Sequence, residues 1–378
     1  MVQCPTDTTA LSGSTTTARS TFVSTCSEKQ VIAERIAMDV RGLRPTPPAL
    51  RVFDAGMGDA TVLTRLMRNL HSRYPAVPFL IVGKEISQED VRISLEKMAD
   101  RLYEHPLTVL VLTNMLYSEA PWLRPRSSAM RARLNWLEAP LEGDTAFQFD
   151  EQIRELEPRV QEWWKTTPSE RTGNPLYVTP SVLVIYRKDH EWPLAPVIPR
   201  RGDDHREYDL VIAAQPFRAR LPAEVKVRNV LAPLARSLAP EGCMVVIQST
   251  GKDPGMEIVR GVWPGEDPFL TPRQELLREL SSQLSGSNPE LRYLSYPDSR
   301  AQFRYDLRLP PSELESSIST STVLAAWNAA TYVAQIEDER LRPAMSRGDY
   351  IDVTSEVLRK YRGLWFVDES FSVARVGR

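Results

Sequence analysis

Between positions 50 and 115 the chain alternates short apolar runs with stretches in which apolar residues recur every three or four positions. Val52 and Phe53 form the first run, Phe79 to Val82 the second, and Leu107 to Leu112 the third. Behind the first run, Val62, Leu63, Leu66, Met67 and Leu70 repeat at i, i+3 and i+4, as the buried face of one helix does, and Asp90 to Tyr103 reads as a helix between the second and third runs. Such strand–helix alternation implies a parallel sheet with right-handed crossovers, which binds its ligands at the carboxyl ends of the strands. Ahead of it, Thr25-Cys26-Ser27-Glu28 fits a capping box, and Val31, Ile32, Ile36, Ala37 and Val40 make a helical stripe ending near Gly42.

The order breaks between Tyr117 and about Glu207. Pro121, Pro125 and Pro140 punctuate its start, Phe147 to Trp164 looks helical, and Thr166 to Pro180 is loop-like. Val182 to Tyr186 then reads as a strand, with Val197-Ile198 as a hairpin partner across the Asp189-His190-Glu191 turn. Buried strands return at Asp209 to Ala214 and Met244 to Gln248, with a helix from Ala223 to Leu238 between them. Further on, Pro272 to Leu284 is helical, Arg292 to Tyr296 and Gln302 to Leu309 suggest a closing antiparallel pair, Thr322 to Leu341 and Tyr350 to Tyr361 are amphipathic helices, and Trp365 to Val373 is a last strand. That strand fits either the sheet or an added cap. The expected division is a disordered Thr/Ser-rich tail (1–25), the first half of a core with its N-terminal helix (26–120), an insertion or cap subdomain (121–207), the second half of the core (208–310), and a helical extension with the final strand (311–378).

Composition narrows the classes. A chain of 378 residues suits one large decorated domain, and 47 basic against 49 acidic side chains leave no global field toward nucleic acid or membrane. Three scattered cysteines, Cys4, Cys26 and Cys243, give neither a disulfide framework nor a Cys-rich zinc site, and His71, His105, His190 and His205 form no metal-ligand cluster. No apolar run approaches the ~20 residues of a membrane span, and the first residues lack a hydrophobic signal segment. A cytoplasmic location without a membrane partner is the expectation.

Chemistry concentrates where the first strand meets its helix. Asp54-Ala55-Gly56-Met57-Gly58-Asp59-Ala60 places two glycines at the turn, so the backbone can bend sharply and approach a ligand closely, and the following helix start offers free N–H groups. The segment resembles motif I of the class I S-adenosylmethionine-dependent methyltransferases, Asp/Glu-x-Gly-x-Gly-x-Gly, with Ala60 in the third glycine position. A nicotinamide-type Gly-x-Gly-x-x-Gly/Ala would need a small residue where Thr61 stands, so that reading is weaker. Leu238-Ala239-Pro240-Glu241-Gly242 is similar to the family's Leu-x-Pro-Gly-Gly turn before the fifth strand, and Asp209-Leu210-Val211 to its fourth strand.

The resemblance implies a Rossmann-like α/β three-layer sandwich with a mostly parallel sheet, and S-adenosyl-L-methionine as cofactor. It assigns cofactor binding to Asp54, Gly56, Met57 and Gly58, to Glu85 as partner of the ribose hydroxyls, and to Asn114 and Met115 at the adenine. It also puts the helix preceding the first strand over the cofactor; the plainer role of that helix is to cover a sheet edge. Gln215-Pro216-Phe217 faintly resembles the family's Asn/Asp/Ser-Pro-Pro-Tyr/Phe motif, so Gln215 is a candidate catalytic residue, with Tyr117 and His190 as further candidates and His205 as an alternative base. His71 reads as a surface residue and His105 as serving a turn. No metal is expected. Arg124, Arg126, Arg131 and Arg133 beside Trp122 and Trp136 suit phosphate, a carboxylate or single-stranded RNA, and Arg200, Arg201 and Arg206 suit the same mouth. The expected activity is in-line methyl transfer to N or O of a small or medium organic molecule. The alternatives are an RNA methyltransferase and an inactive cofactor-binding scaffold.

Overall fold

The computed structural model describes residues 26–170, 173–203, 207–310 and 318–377. The tail expected over 1–25 lies outside the described residues, as do His205 and Arg206.

Helix α1 (Glu28–Asp39) leads into strand β1 (Leu50–Asp54), and α2 (Thr61–Arg73), β2 (Phe79–Lys84), α3 (Gln88–Glu96), α4 (Met98–Glu104) and β3 (Thr108–Thr113) follow. Next come β4 (Asn135–Leu141), α5 (Ala146–Arg154), α6 (Glu157–Trp163), the short pair β5 (Thr166–Pro168) and β6 (Pro175–Tyr177), and β7 (Ser181–Arg187). The second half holds β8 (Tyr208–Ala214), then α7 (Ala223–Lys226) running through a π turn into α8 (Ala232–Arg236), β9 (Leu238–Ser249), α9 (Pro254–Val262) and α10 (Arg273–Leu284). Strands β10 (Leu291–Leu294) and β11 (Gln302–Leu307), helices α11 (Thr320–Val333), α12 (Asp338–Arg347) and α13 (Asp349–Tyr361), and strand β12 (Leu364–Arg375) complete the chain.

Among the described residues, ten strands form one sheet in the order β10-β12-β9-β8-β1-β2-β3-β7-β4, with β11 also paired to β12. The central strands β3, β2, β1, β8 and β9 are parallel. Their side chains alternate between two cores because successive residues of a strand face opposite sides. Phe53, Val82, Val111, Val211 and Val246 pack toward α8 and α10, whereas Val52, Ile81, Leu110, Ile212 and Ile247 pack toward α1, α2 and α4. The result is the Rossmann-like α/β three-layer sandwich. From β1 the chain moves outward through β2 and β3 on one side and later through β8 and β9 on the other, so the order reverses between β1 and β8 and opens a crevice at their carboxyl ends.

Several local expectations need correction. Ser27 is the N-cap of α1, and its hydroxyl donates to Asp306 O instead of capping the helix; Thr25 of the expected capping box lies outside the described residues. Val197-Ile198 is not a strand; β7 leads into the helical turns Lys188–His190 and Glu191–Leu194. Residues 121–207 contribute β7 and β4 to the edge of the same sheet beyond β3, with β7 antiparallel to β3. Strands β10 and β11 do not pair with each other. Each pairs antiparallel with a different half of β12, whose other edge is held by β9, so the last strand belongs to the sheet. Helices α11 and α13 pack on α9 around Trp327, Tyr350, Val357 and Leu358, a third core that the amphipathic stripes of both helices bury. The long helix expected to Leu341 breaks after Val333, where Gln335 is left-handed.

Candidate functional site

A cleft of about 790 Å³ opens at the carboxyl ends of β1, β2 and β8. Its floor is the glycine turn. Gly58 has φ +54° and Ala60, the N-cap of α2, φ +58°. A side chain at Gly58 would sit in the left-handed region that favours glycine, and Ala60 occupies that region with a Cβ. Gly56 borders the cleft, and a Cβ built on it meets nothing within 4 Å. Met57 lines the cleft with its sulfur laid over Gly83 of β2, where a Cβ would come within 2.6 Å of it.

Two carboxyls organise this floor. Glu85 Oε2 accepts from Gly58 N at 2.8 Å, and its Oε1 accepts from Ile86 N at 2.7 Å and Ser87 N at 2.9 Å. Trp164, buried beneath, donates its indole N–H to Glu85 O at 2.8 Å. Asp54 accepts from Gly56 N at 3.2 Å; burial pushes its carboxyl up to about 7, with the charge of Glu85 acting in the same direction. Asp59 ties the start of α2 to Lys97 at 2.8 Å, and hydrogen bonds from Lys97 and Thr61 hold it below the usual carboxylate range even though burial opposes them.

The cleft brings together Asp54, Gly56, Met57, Gly58 and Glu85, as the glycine motif and the second strand suggest, together with Tyr117 and Gln215. Its other walls come from positions without a motif. Glu28, Lys29 and Ile32 place α1 over the cleft, Ile86, Asp90 and Ile93 close one end, and Tyr332 arrives from α11. Lys84 was also missed. It is buried at the end of β2 with its ammonium 4.7 Å from the centroid of the Tyr117 ring, and burial lowers its pKa.

A second cavity of about 1070 Å³ adjoins the first, and Lys84, Ile86, Tyr117, Gln215 and Pro216 border both. Tyr117 donates its hydroxyl to Pro216 O at 2.8 Å, and burial raises its pKa. Gln215 has φ +51°, and its amide NH2 donates to Ser249 Oγ at 2.9 Å and Asp368 Oδ2 at 3.2 Å, which leaves Oε1 as the acceptor end of the group.

Three candidates are displaced. Asn114 is buried with its whole amide engaged: Nδ2 donates to Trp163 O and Thr179 O, each at 3.0 Å, and Oδ1 accepts from Ser181 N at 2.9 Å. It pins the loop before β7 and does not border the first cleft, so it has no free edge for an adenine there. Met115 is fully buried in the core beneath the second cavity. His190 lies past the end of β7, which runs antiparallel to β3, so it sits at the opposite end of the strands from the cleft and contacts Asp189 Oδ1 at 2.9 Å. His71 is not a surface residue; it is buried and stacked on His105 at 4.7 Å, and burial lowers its pKa to about 4. Arg200 pairs with Glu138 on β4 and borders neither cavity.

Among the described residues no group of three or more His, Cys, Asp or Glu side chains is placed to hold a metal ion, and no helix is long and apolar enough to cross a membrane. No family model matches the sequence, and no curated protein matches it. Solved structures similar to it include geranyl diphosphate methyltransferase in complex with GPP and sinefungin, at 9% identity and TM-score 0.33, covering 93% of this chain and 78% of that chain. PKMT2 from Rickettsia typhi in complex with AdoHcy shares 13% identity at TM-score 0.29, covering 91% of this chain and 52% of that one. The rRNA methyltransferase aviRa from Streptomyces viridochromogenes shares 13% identity at TM-score 0.24, covering 58% of this chain and 73% of that one. This chain thus spans about half the length of the Rickettsia protein.

Proposed function

We propose that this chain is an S-adenosylmethionine-dependent methyltransferase that acts on a small or medium organic molecule. The observation that carries the reading is the Asp54–Gly58–Glu85 floor at the switch between β1 and β8: a glycine turn open to a ligand, bracketed by two carboxyls. Among the described residues six acids, Glu28, Asp54, Asp59, Glu85, Glu89 and Asp90, border that cleft against two lysines, which suits a ligand carrying both an ammonium and a sulfonium charge. Its volume of about 790 Å³ falls within the range of cofactor sites, ~300–1,000 Å³.

Bound S-adenosylmethionine would supply a methyl group made electrophilic by the sulfonium, for in-line transfer to N or O of the acceptor. Both lone pairs of Glu85 Oε1 are taken by Ile86 N and Ser87 N, but Oε2 accepts only from Gly58 N and keeps a second lone pair that can accept from a ribose hydroxyl. Gly56 gives the ligand close access to the backbone. Gln215 and Tyr117 stand where the two cavities meet, and Gln215, with its NH2 held by Ser249 and Asp368, presents Oε1 to an N–H or O–H donor on the acceptor. The contribution of the chain is positioning and desolvation more than covalent chemistry.

Incubation with methyl-labelled S-adenosylmethionine and fractionated cell extract tests the activity. Label transferred to a low-molecular-weight product supports the proposal; cofactor binding without transfer to any fraction favours the scaffold reading.

A further inference from the structure

Although the chain as a whole is nearly neutral, the two adjoining cavities have opposite charge. Six carboxyls border the first, whereas Lys84, Arg126, Arg218, Arg228 and Arg236 border the second, and no Asp or Glu does so among its described lining residues. Glu119, the nearest acid in sequence to Arg126, is buried and turned inward, accepting from Arg126 N and Tyr177 OH, each at 2.8 Å. Arg228 pairs with Glu224 one turn away, but among the described residues no ion pair engages the guanidinium of Arg126, Arg218 or Arg236. Arg228 and Arg236 lie eight residues apart on the π turn and α8, so they form one edge of the cavity, and Arg126 and Arg218 approach from the loops after β3 and β8.

Guanidinium groups with free N–H forks attract planar or tetrahedral oxyanions and are costly to gather without one, because like charges repel. Between these arginines the walls are partly apolar: Leu116, Trp122, Leu176, Phe217 and Leu221 border the same space among uncharged polar residues such as Ser118, Asn174 and Asn229, and Leu116 and Leu176 are respectively 42% and 36% exposed. A cavity with a cationic rim, a partly apolar lining and a volume of about 1070 Å³ matches a ligand with an anionic head and an apolar body.

We infer that the second cavity is the methyl-acceptor site and that its substrate is an amphiphilic anion, an apolar skeleton bearing a phosphate or carboxylate, held by Arg126, Arg218 and Arg236. The identification as acceptor site rests on the methyltransferase proposal; the binding of an amphiphilic anion does not. Lys84 and Gln215 border both cavities, so the acceptor's nucleophilic atom belongs at their junction and its anionic head at the arginine rim. Tetrahedral and planar heads share this chemistry, and direct comparison separates them.

The test is calorimetric titration of the full chain, with and without saturating S-adenosylhomocysteine, using hexyl phosphate, hexanoate and hexanol as probes. One or both anions are expected to bind while hexanol does not, the tighter anion naming the head group. Arg218→Gln and Arg236→Gln are each expected to weaken anion binding by about threefold to tenfold, as for partly exposed charge-assisted contacts, and to leave S-adenosylhomocysteine affinity unchanged. Hexanol binding as tightly as both anions, or anion affinity unaltered in both variants, overturns the inference. If single-stranded RNA competes with the anions at micromolar concentration and loses affinity steeply with salt, the small-molecule class is overturned. Anion binding without S-adenosylhomocysteine binding would preserve the anion site and reject the methyltransferase reading; the reverse result would do the opposite.

Discussion

The carboxylate of Glu85, at the end of β2, accepts a hydrogen bond at 2.8 Å from the backbone N–H of Gly58, 27 residues earlier in the glycine turn. Its other oxygen holds Ile86 N and Ser87 N. One side chain therefore fixes the turn, the strand end and the start of the next loop. Glu85→Ala leaves three backbone amides without that acceptor and is expected to cost about 2 kcal/mol in urea unfolding, since charge-assisted hydrogen bonds contribute ~1.5–3 kcal/mol. It should also weaken S-adenosylhomocysteine binding at least tenfold. Unchanged affinity in a folded Glu85→Ala variant would remove Glu85 from the proposed cofactor site.

Gly56 and Gly58 separate ligand access from backbone strain. At Gly56 an added Cβ meets nothing within 4 Å and points into space bordering the cleft, so Gly56→Ala should leave stability within ~0.5 kcal/mol of the parent while weakening cofactor binding. At Gly58, φ +54° is unfavourable for a branched side chain, and Gly58→Val should cost at least ~1–2 kcal/mol as well as abolish binding. Paired thermal melts and titrations of the two variants measure both effects.

Much of this arrangement is legible in the sequence, for definite reasons. Strands β1, β2, β3, β8 and β9 are apolar on both faces and bounded by turns, so their runs stand out, and the glycine turn announces the crevice. Asn114 misleads because an amide at a strand end looks the same in sequence whether it faces a ligand or, as here, ties down a loop 65 and 67 residues away. His190 misleads because the antiparallel direction of β7, which carries it to the far end of the strands, depends on a pairing that local pattern does not encode. The contributions of Glu28 and Tyr332 to the cleft, and of Arg218 and Arg236 to the second cavity, depend on long-range packing for the same reason.

Ala60 and Glu241 stand where the family motifs carry glycine, and both are left-handed, with φ +58° and +65°. Replacement by glycine removes a Cβ penalty of ~1–2 kcal/mol per residue, partly offset by the greater entropy of a glycine in the unfolded chain. Ala60→Gly is expected to raise unfolding free energy by about 0.5–1 kcal/mol. Glu241→Gly gains less, because it loses the bond that Glu241 Oε1 accepts from Gly377 N at 2.7 Å. Denaturant titration of the two variants should rank them in that order.

Asp368 introduces a pH dependence. Burial raises its carboxyl from the ordinary 3.8 to about 8, with the charge of Glu28 acting in the same direction. Between those values the folded chain holds a proton that the unfolded chain has lost, so this group makes the fold less stable as pH rises from about 4 to 8 and adds no further change above that. The melting temperature of the unliganded protein should therefore fall from pH 5 to pH 8.5, and the fall should be shallower in Asp368→Asn. Equal slopes in the two proteins would show that Asp368 does not titrate in this window.

Asp54, raised to about 7 by burial, links the cleft to pH in the opposite sense. A cationic ligand favours the ionised carboxyl, so affinity should decline as pH falls through 7. The most direct measurement is calorimetric titration of the full chain with S-adenosylmethionine, S-adenosylhomocysteine and NAD at pH 8 and pH 6. The account predicts binding of both adenosyl compounds, weaker at pH 6 and lost in Gly58→Val, with no binding of NAD. Binding of NAD alone, or of none of the three to the folded protein, would contradict it.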